Sequence, residues 1–359
     1  MIRLHPYALA CLAVVLAACS PAARKTGEYK IALVPDIVGQ HGIFTINSDR
    51  TGGRLLTPDA TAQLRPSSWS PDGKKIAFFA TREEDSQILQ KYPVPMHYPL
   101  YVMDAGGGNQ RRLLDFPVSS FGWSPDSHQL LYVSAYEDPA LDDPDVVKRL
   151  KAPMSAVYLL NLETGAQKRV TGFGQNCSGS WSPDGVNLAL SFGDAKSSDI
   201  YIAGLDGKHT RRVGDSSGIN IKPVWSPDGK RIAYISFALQ ETGIVADACI
   251  VESDGTNKKQ IRGLNPYEVS WSADGRSLLL QSTNGITLTS MDGNTIVDLK
   301  NRVIQPQDAV FTPDGKDVMF RSNHEGHWYL YVVDMKGANI RRISGSLSSS
   351  MFCLSPLNH

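Results

Sequence analysis

One short phrase recurs along this chain and limits the folds open to it more than any other feature. It reads Trp69-Ser-Pro-Asp-Gly73, Trp123-Ser-Pro-Asp-Ser127, Trp181-Ser-Pro-Asp-Gly185, Trp225-Ser-Pro-Asp-Gly229, Trp271-Ser-Ala-Asp-Gly275 and Phe311-Thr-Pro-Asp-Gly315. Five of the six tryptophans lie in it, so the aromatic position belongs to the repeat and not to one special site. Units of this period cannot bury their apolar faces alone and must stack on their neighbours.

The clearest unit runs from residue 222 to 263. Lys222–Ser226 is a short strand. Pro227-Asp-Gly-Lys230 is a turn, because Pro presets φ, Asp bonds nearby backbone and Gly accepts positive φ. Arg231–Ser236 is a nearly continuous apolar strand, Ala248–Ser253 a third, and Lys259–Arg262 a more polar fourth. Four antiparallel strands separated by turns make one blade of a β-propeller. Third strands recur at Gly42–Ile46, Leu100–Asp104, Val157–Asn161, Asp199–Leu205, Ala248–Ser253, Ile286–Met291 and Tyr329–Asp334. That is one more than the phrases. Tyr29–Pro35 reads as a second strand lacking a first, and Ser350–Pro356 as a first strand lacking a second. The expected fold is therefore all-β: a seven-bladed propeller of four-stranded antiparallel blades over residues 29–359. Its first blade is closed by the C-terminal strand, which removes the exposed edges of an open array.

Each tryptophan reads as a wedge between blades, and each phrase aspartate (Asp72, Asp126, Asp184, Asp228, Asp274, Asp314) as a turn residue. Function is sought where the repeat is interrupted. Insertions between second and third strands fall at about Thr81–Pro99, Ala135–Ala156 and Phe237–Asp247. All three decorate the face opposite the Asp-Gly turns, and long loops on a rigid scaffold often carry function. The first offers Tyr92, His97 and Tyr98. The second contains Asp142-Asp-Pro-Asp145, which reads as the start of a short helix, without the ligand spacing of a calcium loop. The same face holds the entrances of the innermost strands. A polar ring of Arg65, Asn176, Lys222, Tyr267, Glu268 and Asp308 is the candidate ligand-binding set.

The first residues read differently. Arg3, the apolar run Tyr7–Leu16 and Leu16-Ala-Ala-Cys19 resemble a bacterial lipoprotein signal, with Cys19 as the lipidated residue. This sets residues 1–18 as signal peptide and 19–28 as a tether of roughly 30 Å. Ser20 after the cysteine implies the outer membrane, facing the periplasm, if the host is Gram-negative. Cys177, Cys249 and Cys353 form no disulfide framework and read as buried thiols. Lys+Arg and Asp+Glu both number 36, so no net field favours nucleic acid.

The phrase resembles the repeat of the TolB-type propeller family, a WD-like bacterial family, across nearly all of residues 29–359. TolB-like proteins carry an α/β domain before the propeller, whereas here only Ser20–Glu28 separate Cys19 from the first strand. The partner-binding role of that domain therefore does not transfer. No Gly-x-Ser-x-Gly elbow, His-Glu-x-x-His helix or phosphate loop occurs, so no catalytic residue, metal or cofactor is expected. His324-Glu-Gly-His327 reads as a hairpin. Oligogalacturonate lyases use similar repeats and hold a metal through channel histidines, yet no histidine falls at the aligned entrances. The resulting expectation is a monomeric, lipid-anchored, non-catalytic platform binding an envelope protein or glycan. The alternatives are a polysaccharide-directed propeller enzyme or a purely structural lipoprotein.

Overall fold

In the computed structural model the described residues are 29–357, apart from 36–41, 58–62, 92–96, 136–153, 173, 175–176, 195, 209, 215–217, 241–242, 300–301, 325 and 344–348. The signal, tether and Cys19, together with Tyr92, Asn176 and the Asp142–Asp145 segment, lie outside them.

The chain folds into a β-propeller of antiparallel four-stranded blades. Five four-stranded sheets stand separately. Named by their phrase residues, they include the Trp69 sheet (strands from Gln63–Trp69 to Arg111–Arg112) and the Trp123 sheet (Ser120–Trp123 to Gln167–Arg169). The Trp271 sheet runs from Pro266–Trp271 to Thr295–Asp298, and the Phe311 sheet from Gln307–Phe311 to Arg341–Arg342. The fifth, closing sheet joins Ser349–Leu354 to Lys30–Pro35, Phe44–Asn47 and Arg54–Leu55. The expectation of seven separate blades is corrected here. The strands from Ser178 to Ile261 form one eight-stranded sheet, because a single parallel bridge, Ser198 to Ile219, joins the Trp181 strands to the Trp225 strands.

Second strands such as Lys75–Thr81 and Asn187–Gly193 are buried along most of their length. They lie mid-sheet and pack on both faces, which is why their sequences are apolar without alternation. Each core cluster draws on two neighbouring units. Ile235, Ala246 and Ala248 pack with Val269, Trp271 and Leu280 of the next sheet. The indole N–H of Trp271 donates to the Val224 carbonyl at 3.0 Å, and that of Trp123 to Ser68 at 3.1 Å. Trp123 and Trp271 are thus wedges tied to the preceding unit, whereas Trp69, Trp181 and Trp225 pack there without that bond.

Ring closure reuses the phrase in two pieces. Within one hairpin, Ser70 N donates to Lys75 O and Lys75 N donates to Ser70 Oγ, both at 2.9 Å. Across the two ends of the chain, Ser355 N donates to Lys30 O at 2.8 Å and Lys30 N to Ser355 Oγ at 2.7 Å. The bonding pattern is the same although 325 residues separate the partners. Pro356 also takes the place of a phrase proline. A Cβ on Gly73 would lie 3.3 Å from it, as one on Gly185 would lie 3.7 Å from Pro125. The third insertion is a pair of longer strands rather than a loop: Arg231–Gln240 and Gly243–Glu252 stay in register from Arg231–Glu252 to Gln240–Gly243. Among the described residues no helix is long and apolar enough to cross a membrane.

Candidate functional site

The phrase turns consume their own chemistry. Ser226 Oγ donates to Asp228 Oδ1 at 2.6 Å, which also accepts the Lys230 amide at 3.1 Å. The Ser70–Asp72, Ser124–Asp126, Ser272–Asp274 and Thr312–Asp314 pairs repeat the first bond at 2.6 Å. The Ser226 hydroxyl holds the Asp228 carboxyl below its usual range, and the Ser124 and Ser272 hydroxyls do so for Asp126 and Asp274. These carboxylates brace turns and have little capacity left for acid–base work.

The first insertion is likewise tied down where it begins. Glu83–Asp85 forms a short 3-10 turn and Ser86–Lys91 a single helical segment. Asp85 is fully buried. It accepts the Tyr101 hydroxyl at 2.9 and 3.0 Å, Arg112 at 3.2 Å and the Arg82 amide at 2.8 Å. Burial first, and then the bond to Asp85, push the Tyr101 hydroxyl well above its usual range. The Arg82 guanidinium covers the Tyr101 ring at 4.4 Å. His97 is buried, and Tyr98 exchanges backbone bonds with Val118 at 2.8 and 2.9 Å while its ring packs 5.9 Å from Phe79. Tyr98 therefore belongs to the packing between the Trp69 and Trp123 sheets, and His97, next to it in the chain, is buried.

The entrances of the first strands are different. Their ladders slip at a common level: between Arg65 and Ser67, Ile221 and Val224, Pro266 and Glu268, and Gln307 and Val310. Such bulges re-aim a side chain and end regular pairing. Lys222 and Asp308 take positive φ there, 55° and 51°, which non-glycine residues rarely adopt. The slips turn side chains of neighbouring units toward one another. Lys222 Nζ meets Glu268 Oε2 at 2.6 Å and the Tyr267 carbonyl at 3.0 Å, while the Lys222 amide donates to Ser178 Oγ at 2.9 Å. Asp308 Oδ2 pairs with Arg321 Nε, as an ion pair rather than a well-aligned hydrogen bond. The Arg321 guanidinium lies 4.6 Å over the Trp328 ring. Between the two ion pairs stands Tyr267, 37% exposed. Its hydroxyl is raised above the usual range by burial, then by the Asp308 and Glu268 charges, with Arg321 opposing.

The structure thus brings together Lys222, Tyr267, Glu268 and Asp308 from three successive units. Arg65 pairs with Phe79 and borders the slip on its own strand. Arg321, Trp328 and Ser178 were not anticipated. The one available signal was Arg321, a charge directly after the apolar run Val318–Phe320 of a second strand. Among the described residues no group of three or more His, Cys, Asp or Glu side chains could hold a metal. Cys177, Cys249 and Cys353 are not in disulfides, and burial pushes the Cys177 thiol up to about 11.

The TolB beta propeller domain matches residues 90–294. Among curated proteins, the Tol-Pal system protein TolB of Francisella tularensis is 26% identical over 277 residues, covering 72% of this chain and 59% of its own. Dipeptidyl-peptidase 5 of Porphyromonas gingivalis is 25% identical over 303 residues, covering 71% and 42%. "Uncharacterized peptidase YuxL" of Bacillus subtilis is 26% identical over 203 residues, covering 56% and 29%. The chain therefore spans less than two thirds of these relatives' lengths. Among solved structures, TolB from Acinetobacter baumannii superposes with a TM-score of 0.54 at 16% identity, covering 91% of this chain and 67% of that one. Oligogalacturonate lyase from Vibrio parahaemolyticus gives 0.60 at 14% identity, covering 85% and 86%. At such identities the likeness is one of fold.

Proposed function

Because the chain belongs to the TolB beta propeller domain family, we propose that it is a non-catalytic binding platform whose ligand, an envelope protein or glycan, docks at the charged mouth of its ring. In this reading the eight-stranded sheet counts as two blades and the ring as seven. The observation that carries the proposal is the chain of contacts from Ser178 through Lys222, Glu268, Tyr267 and Asp308 to Arg321. Residues from successive units are aimed at one point by slips that cost backbone strain and serve no pairing. An exposed ion pair such as Lys222–Glu268 contributes little to stability, about 0–1 kcal/mol, so fold maintenance is a weak reason to build it. The two ion pairs do offer paired donors and acceptors around a half-exposed tyrosine, which suits a polar ligand.

Attachment through Cys19 would hold the propeller at a membrane on its extracytoplasmic side, the periplasmic face of the outer membrane if the host is Gram-negative. No membrane association of Cys19→Ala alongside full association of the parent chain is the expected outcome. Unchanged fractionation and mass would remove lipidation from this account. The platform itself is tested by a photo-crosslinking residue at position 267 in intact cells, with and without Lys222→Glu. A dominant partner lost on charge reversal is expected. Capture indifferent to Lys222→Glu would reject the mouth as the site. The enzymatic alternative draws support from the fold shared with oligogalacturonate lyase. Polyuronate cleavage by the purified protein would favour it.

A further inference from the structure

A second surface lies beside the mouth and separate from it. In the Trp225 strands, Ile232 pairs with the phrase tryptophan, and in the Trp271 sheet Leu278 does so. Counting four residues on gives Ser236 and Ser282 at the same height. The Trp271 hairpin ends there, with Ser282 opposite Gly285. The Trp225 hairpin continues through Gln240, four residues or about 13 Å further. By the same count the Phe311 hairpin passes Ser322 to reach His324, two residues or about 7 Å further. A short sheet thus stands between two taller ones. Packed sheets lie about 10 Å apart, so the gap above the Trp271 hairpin is about one layer wide.

The walls of this slot are sheet faces. Side chains two residues apart share a face, and Ile235 and Ala246 already pack on the Trp271 sheet. Leu239 and its cross-strand partner Ile244 continue that face beyond the core, over the slot, 85% and 73% exposed. Phe320 and Val333 pack on the Trp271 sheet from the other side. Tyr329 and His327 continue that face upward, with the Arg342 guanidinium 4.5 Å over the Tyr329 ring. At the foot of this wall Ile304, whose carbonyl accepts the Ser322 hydroxyl, is 58% exposed. Three of the most exposed large apolar side chains among the described residues therefore border one slot, apolar on one wall and basic on the other.

We propose that this slot receives an amphipathic α-helix from a partner protein, its apolar stripe on Leu239, Ile244 and Ile304 and an acidic flank toward Arg342 and His327. A globular surface cannot enter a gap one layer wide. A bare strand could enter, but sheet faces offer no main-chain donors or acceptors, so its own peptide groups would stay unpaired. A helix satisfies its backbone internally, and its diameter of about 10–12 Å matches the gap.

The test measures fluorescence anisotropy of the purified full-length protein with a panel of labelled helical peptides. Each peptide carries leucines at i, i+3, i+4 and i+7 and glutamates along one flank. Saturable binding is expected, weakened about tenfold or more by Leu239→Ser with Ile244→Ser, and severalfold by Arg342→Ala. The Lys222→Glu variant should bind as the parent does, which separates this slot from the charged mouth. Both slot positions are exposed, so an unchanged melting curve confirms that the double variant still folds. No saturable binding, equal binding of scrambled peptides, or no effect of the double substitution would overturn the proposal. Concentration-dependent dimerisation abolished by the double substitution would assign the slot to a second copy instead. Flotation with phosphatidylethanolamine–phosphatidylglycerol vesicles lost in the same variant would assign it to lipid; either result overturns the helix.

Discussion

The two ends of each inner strand obey opposite rules. At the phrase end the six phrase units repeat one solution: a hydroxyl bonds an aspartate, a residue of positive φ turns the chain, and an aromatic side chain packs against the neighbouring unit. At the entrance end the ladder slips in the Trp69, Trp225, Trp271 and Phe311 units, the side chains differ from unit to unit, and ion pairs form both between units, Lys222 with Glu268, and within one, Asp308 with Arg321. Uniformity at one rim is what assembly requires, since every interface must fit the next. The irregular rim is free to be specific. Variants can be chosen to set these two rims against each other.

The largest effect is expected from the split phrase. Deleting residues 349–359 removes the strand paired with Lys30–Pro35 and the Ser355 clasp. It leaves an apolar sheet edge in solvent and uncovers Ile31 and Leu33. Cooperative unfolding should be lost or shifted far below that of the parent chain in thermal denaturation. A melting curve that stays put would mean that closure contributes nothing. Next comes Asp85→Ala, which leaves the buried Tyr101 hydroxyl and Arg112 without their acceptor. We expect about 3 kcal/mol of destabilisation in urea. Asp115 also pairs with Arg112, at 3.1 Å, but its side chain is 92% exposed. Asp115→Ala should therefore cost less than about 0.5 kcal/mol, and equal losses for the two would contradict the assignment of Asp85 as the lock.

A smaller, pH-dependent effect tests the repeated turn. Ser226→Ala removes the bond to Asp228 and the acceptor of the Arg231 amide, costing about 1–2 kcal/mol at pH 7. The Asp228 carboxyl is held below its unfolded value of about 3.9. Its contribution is thus present above that pH and lost as pH falls through the lower, folded value. The gap between parent and Ser226→Ala should narrow on acidification below about pH 4. A gap constant from pH 7 to pH 2 would show that the aspartate takes no part.

Much of this was legible in the sequence because the determinants were local. Pro, Asp and Gly specify the turn, apolar runs specify the central strands, and counting strands against phrases located the split unit. The alignment also placed Lys222, Tyr267, Glu268 and Asp308 on one rim, because a repeat fixes height along the strand. It could not anticipate Arg321, whose partner Asp308 lies across a slipped ladder. Nor could it separate Tyr98, held by Val118, from a free loop aromatic. The separation of the Trp181 and Trp225 strands failed for a similar reason: a single bridge at Ser198 joins them, and no pattern encodes one bridge. The Phe237–Asp247 stretch looked like an insertion because blade length was judged by the shorter units.

The smallest stability effect should come from the mouth, and there the comparison is sharpest. Lys222 and Glu268 side chains are 40% and 41% exposed, and their 2.6 Å contact is open to solvent and salt. Replacing both with Ala should change stability by no more than about 1 kcal/mol. At the phrase rim, Trp271→Ala would cost about 3–5 kcal/mol through the emptied core site and the lost bond to Val224. If the mouth is a site and the phrase is scaffold, the double variant should lose crosslinking from position 267 at an unchanged melting temperature. Trp271→Ala should lower that temperature while retaining crosslinking in whatever fraction stays folded. If both variants shift melting alike and neither alters crosslinking, the mouth is scaffold too, and its strained backbone at Lys222 and Asp308 requires another cause.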